Sequence, residues 1–137
     1  MKDAPRYGIV REVALSFEDA DARVRMELKE EGFGILTEID VKATLKEKLD
    51  VDFPPYRILG ACNPPIAHQA LLAEPDVGLL LPCNVVVRQV EQSVIVEALD
   101  PVVQLEVANN PALNDAARDV RARLTRAIER LPGVMGA

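Results

Sequence analysis

The chain has 137 residues, with 16 Lys and Arg against 22 Asp and Glu, for a formal charge of −6. That length suffices for one domain with a real core and not comfortably for two, so residues 1–137 read as a single domain. The acidic balance argues against a nucleic-acid binder, which needs a basic face, and 49% hydrophobic with 28% charged residues argues against disorder.

Tyr7 to Leu15 reads as a first strand, with Ile9, Val13 and Leu15 on one face and Arg11 breaking the pattern. Ser16 then caps a helix in which Phe17, Ala20, Val24 and Leu28 keep helical spacing, and Gly32 stops it. Phe33 to Ile39 alternates as a second strand, and Asp40 caps a short helix with Val41, Leu45 and Leu49 on one side. Phe53-Pro54-Pro55 ends that unit before a third strand, Tyr56 to Cys62. Asn63-Pro64-Pro65 combines a cap with proline in the first turn, so it opens a helix that Pro75 stops.

Leu79 to Val90 reads as a long strand bent at Pro82, and Ser93 to Leu99 as its hairpin partner across Glu91-Gln92. Asp100-Pro101 starts a short helical turn. Asn110-Pro111 repeats the cap-plus-proline signal before the last helix, which Pro132-Gly133 ends. There Leu113, Ala117, Val120, Leu124, Ile128 and Leu131 share one arc. The order implies an α+β fold: one mostly antiparallel or mixed sheet of about five strands, helices packed on it, and a long C-terminal helix.

Arg11 and Glu12 break any apolar stretch in Met1 to Ser16, so no signal peptide is expected. The apolar run Val77 to Val87 is too short to span a bilayer and contains Pro82 and Asn84. Two cysteines are too few for a disulfide scaffold, so a cytoplasmic protein with reduced thiols is expected.

Three segments carry a resemblance. Phe33-Gly34-Ile35-Leu36-Thr37-Glu38-Ile39-Asp40, Pro54-Pro55-Tyr56-Arg57-Ile58-Leu59-Gly60-Ala61-Cys62-Asn63-Pro64 and Gly78-Leu79-Leu80-Leu81-Pro82-Cys83-Asn84 closely resemble the family called domain of unknown function 302. The resemblance implies an α+β fold, small single-domain bacterial or archaeal proteins, and a homodimer. It implies no activity and carries over no site residues.

The inventory for chemistry is thin: one His, two Cys and five aromatics. Cys62 stands before the cap of a proline-initiated helix, whose unpaired N–H groups can lower a thiol pKa. Cys83 follows in the next strand, and Asn63 and Asn84 follow the two cysteines. Adjacent, the two thiols would form a dithiol for redox exchange, sulfur handling or a soft metal; the apolar flanks Ile58, Leu59, Leu80 and Leu81 favour the other reading, two buried cysteines acting as small hydrophobes. His68 would complete a Cys₂His set, but this spacing matches no common zinc motif, so no metal and no cofactor are expected.

Glu38 and Asp40 point to one side of their strand, with Asp40 engaged as a cap and Glu38 placed to pair with Lys42. Arg118, Arg121, Arg123, Arg126 and Arg130 alternate with Asp115, Asp119 and Glu129, the pattern of a solvated helix face. Phe53 and Tyr56 are candidate walls of a small-molecule pocket. Two readings follow. The first is a non-enzymatic homodimeric module binding an unidentified small molecule or partner protein, with no nucleic acid and no membrane involved. The alternative is a thiol-dependent redox, sulfur-handling or soft-metal-binding protein using Cys62 and Cys83.

Overall fold

Alternating side chains and proline-marked breaks become five strands and five helices in a computed structural model that describes residues 4–135. Met1 to Asp3, Gly136 and Ala137 lie outside the described residues, so the first residues of the stretch read for a signal peptide lie outside them too. The strands are β1 (Gly8–Val13), β2 (Gly34–Asp40), β3 (Tyr56–Cys62), β4 (Cys83–Val90) and β5 (Ser93–Leu99). They form one antiparallel sheet in the order β1-β5-β4-β3-β2. The helices are α1 (Phe17–Glu30), α2 (Val41–Leu49), α3 (Pro64–Ala73), α4 (Pro101–Glu106) and α5 (Asn114–Glu129). Among the described residues, no helix is long and apolar enough to cross a membrane.

The caps work where the sequence places them. Ser16, Asp40, Asn63 and Asp100 accept hydrogen bonds from the first-turn N–H groups of Asp19, Ala43, Ile66 and Val102. Gly32 ends the first helical unit at a φ of 87°, a left-handed conformation that costs a side-chain-bearing residue more. Glu91 and Gln92 close the β4–β5 hairpin, with Val90 opposite Ser93 and Glu91 at a φ of 54°.

Helices α1 and α5 cover one sheet face only. Leu59, Val85, Val87, Val96 and Ala98 meet Val24, Leu28, Leu124, Ala127 and Ile128 there in a continuous core. Arg11, which interrupts the apolar pattern of β1, also lies toward the helices, where its Nε donates to the Leu131 carbonyl at 2.8 Å. A smaller core of Ala70, Val77, Leu105, Leu113 and Ala117 joins α3, α4 and the start of α5.

Four expectations change. The strand read from Leu79 starts only at Cys83, because Pro75–Leu80 form a 3₁₀ helix that buries Val77 while Gly78 and Leu79 break the alternation. The last helix opens with a separate 3₁₀ turn, Pro111–Leu113, before α5. The apolar stripe of α2 buries no residue, and Leu49 stays 64% exposed. Glu38 pairs with Arg25 at 3.1 Å rather than with Lys42, because its side of β2 faces α1.

The arginines of α5 do more than solvate a face. Arg126 and Arg130 reach across to Glu31 at 2.9 and 2.8 Å, and Arg130 also meets Glu27 at 2.8 Å. Both glutamates are buried, so this is a clamp between α1 and α5. Arg130 holds the Glu27 carboxyl, and Arg126 the Glu31 carboxyl, below the ordinary carboxylate range.

Two outcomes follow for stability. Leu28→Ala, which empties a fully buried site between α1 and the sheet, is expected to lower unfolding stability by about 2–5 kcal/mol in urea titrations. Because the folded pKa values of Glu27 and Glu31 are depressed, their contribution is complete above the unfolded carboxylate value of about 4.3 and is lost as pH falls through the folded values. The urea midpoint is therefore expected to drop in acid, and Glu31→Gln to flatten that drop.

Candidate functional site

Helices cover one face of the sheet, and a concavity lies on the other. Side chains of period two send Gly8 and Val10 from β1, Ile95, Glu97 and Leu99 from β5, Asn84, Val86 and Arg88 from β4, and Tyr56 from β3 to that side. Together with Pro5 and Tyr7 they line a concavity of about 680 Å³, within the usual range of small-molecule sites.

Register fixes the arrangement of its floor. Val10, Glu97, Val86 and Ile58 lie opposite one another in a row across four strands, and Ile95, Arg88 and Tyr56 form the next row. The polar pair therefore sits diagonally in the middle of an apolar floor. Arg88 Nε donates to Glu97 Oε1 at 2.8 Å, and both side chains are mostly shielded from solvent.

Aromatic rings stand beside this floor. Phe53 meets Tyr56 edge-on with ring centroids 6.1 Å apart. Burial raises the Tyr56 phenol pKa, and the Glu97 carboxylate raises it further against a smaller opposing effect of Arg88. The phenol stays protonated and can donate or accept.

The sequence-derived candidates divide between two places. Tyr56 and Asn84 line the concavity; Phe53 reaches it only through Tyr56. Cys62, Cys83 and Asn63 instead line a cavity of about 40 Å³ under α3, walled by Phe33, Ile66, Ala70 and Leu105 among others. Cys83 pairs in register with Ala61, next to Cys62, and its thiol donates to Gln104 Oε1 at 3.4 Å. The Asn63 side chain is spent on the α3 cap and on the Glu31 carbonyl. His68 lies exposed on α3 and does not line the cysteine cavity. Among the described residues, no three His, Cys, Asp or Glu side chains group as a metal site.

Burial, not the helix start, governs the thiols. It raises the Cys62 pKa, and it pushes Cys83 up to about 11 with a smaller contribution from Cys62. The sequence argument weighed the start of α3 against two buried thiols; the enclosure comes from Ile66 on α3 itself and from Leu105 and Val120, distant in the chain. Tyr7, Val10, Arg88, Ile95 and Glu97 were missed. For Arg88, Ile95 and Glu97 a signal was present in the alternation of β4 and β5, where each core residue is followed by one on the opposite face.

A family model described as a domain of unknown function, DUF302, matches residues 9–131. A crystal structure of an uncharacterized conserved DUF302 protein from Bacillus stearothermophilus is similar at a TM-score of 0.87. It is 32% identical, and the match covers 93% of this chain and 99% of that one. No curated protein matches the chain.

Alkylation kinetics test the thiol environment. Iodoacetamide at pH 8, followed by mass spectrometry, is expected to label Cys62 slowly and Cys83 hardly at all in the folded chain. The pH midpoint for Cys62 should lie above the ordinary thiol value of about 8.5. A midpoint below 8.5 would mean that the helix start outweighs burial.

Proposed function

We propose, for a chain that belongs to the DUF302 family, a non-enzymatic binding module that acts as a homodimer and takes a small molecule on the open face of its sheet. The concavity of about 680 Å³ carries this reading. It combines an apolar floor with a few converging polar groups, which is the ordinary composition of a ligand site. Among the described residues, no Ser, Thr, Cys, Lys or His side chain lines it, which supports binding and orientation as its role.

Exposed apolar side chains on the β2–α2–β3 side support the homodimer. Ile39, Leu49, Val51 and Phe53 are each more than a third exposed, and α2 buries nothing within its own chain. Leu49 and Val51 do not line the concavity, whereas Ile39, opposite Ile58, extends the row of its floor and Phe53 meets Tyr56 at its edge, so a partner seated on this patch borders the ligand site.

The thiol-dependent reading rests on Cys62 and Cys83 sharing one cavity wall. Against it stand the small volume of that cavity and the raised pKa of both thiols.

Light scattering is expected to give twice the chain mass, with Leu49→Glu combined with Phe53→Glu shifting it to the single-chain mass; a monomeric unaltered protein would sink the dimer. Chemical-shift mapping with a small-fragment collection is expected to perturb Val10, Val86, Arg88, Glu97 and Tyr56. Cys62→Ser and Cys83→Ser should leave that binding within about twofold. Loss of binding on removing either thiol would move the function to the cysteine cavity.

A further inference from the structure

The polar groups of the concavity define the kind of molecule that fits it, an inference that rests on the open-face reading above. Arg88 and Glu97 are the charged side chains lining it, and they neutralise each other at 2.8 Å. Their hydrogen-bonding capacity is only partly used. Arg88 spends Nε on Glu97, and its two terminal nitrogens make no hydrogen bond to described residues. Glu97 spends Oε1, and Oε2 likewise has no hydrogen-bond partner among the described residues. Asn84 contributes an amide on the same face, and it too makes no side-chain hydrogen bond to described residues.

The floor thus offers a donor next to an acceptor with no net charge. An anion would gain Arg88 but meet the Glu97 carboxylate, on a chain whose formal charge is already −6. A cation would gain Glu97 and meet the Arg88 guanidinium. Either ion would sit beside a like charge of the shielded pair, and that repulsion offsets its gain. A neutral group carrying N–H beside C=O satisfies both at once: its N–H donates to Glu97, and its C=O accepts from Arg88. Around this pair, Val10, Val86, Ile95 and Leu99 provide an apolar bed and the rings of Tyr7 and Tyr56 provide edges.

We propose that the concavity binds uncharged planar ring compounds bearing an amide-type edge (lactams, cyclic imides or heterocycles with adjacent N–H and C=O), with Arg88 and Glu97 as the specificity-determining pair.

Three probes of similar size and different charge test this by chemical-shift titration of the full chain: 2-quinolinone, 2-naphthoate and 2-naphthylmethylammonium. The lactam 2-quinolinone is expected to bind at least tenfold more tightly than either ion, with shifts centred on Arg88, Glu97 and Tyr56. Glu97→Gln is expected to reverse the order, weakening 2-quinolinone and strengthening 2-naphthoate at least tenfold, because Arg88 then lacks its counter-charge. Mere loss of packing would weaken all three alike and would overturn the assigned role of the pair. Tighter binding of either ion to the unaltered chain would overturn the neutral class while leaving the concavity a small-molecule site. Absence of shifts there with all three probes at their solubility limits would overturn both.

Discussion

A β-sheet presents two faces, and this chain supplies helices for one. Every strand must therefore divide its side chains between a sealed core and a surface that its own helices leave uncovered. Val85 and Val87 go to the helices while Val86 and Arg88 go to the other side; Val94, Val96 and Ala98 alternate in the same way with Ile95 and Glu97. Because register in an antiparallel sheet has a period of two, slipping one strand by a single residue would exchange these sets and carry Arg88 into the core. Core and concavity are consequences of the same alternation, and neither can be altered without the other.

The covered face depends on α1 and α5 lying together, and charged pairs act there beside the apolar packing. Glu27 and Glu31 are buried with their carboxylates held by Arg126 and Arg130. On the same helix, Asp21 meets both Arg25 and Arg57, and the Arg57 guanidinium lies 4.9 Å from the Phe17 ring centroid. Buried acids that each keep an arginine avoid the cost of an isolated charge. They also make the pairing directional, since sliding α5 along α1 would part Arg126 from Glu31 and Arg130 from Glu27 and Glu31.

Local signals were legible and long-range ones were not. Ser16, Asp40, Asn63 and Asp100 acted as caps because a cap needs only the next few residues. The strands and their alternation were readable for the same reason, as were the three family segments. Which face would receive helices depends on contacts between α1, α5 and strands far away in sequence, so the floor residues Arg88, Glu97 and Val10 could not be told from ordinary surface. The α5 arginines misled similarly: their spacing to acids on their own helix was visible, but Glu27 and Glu31 lie on another helix. For Cys62, the helix start was local and visible, whereas the apolar enclosure that outweighs it comes from α3, α4 and α5.

The place of β1 has a consequence for how the chain assembles. Strands β2 to β5 follow one another as neighbours, each reached by a connection within the middle of the chain. The first strand instead crosses to the far edge beside β5, near the opposite end of the sequence, and the residues after α5 complete that edge: Val13 bridges Gly133, and Val134 N–H donates to the Glu12 carbonyl. Closing so long a loop carries an entropic cost that local pairs do not. A ribosome releases β1 before β5 and the residues after α5, so the edge that completes the sheet is sealed only once Gly133 and Val134 have emerged.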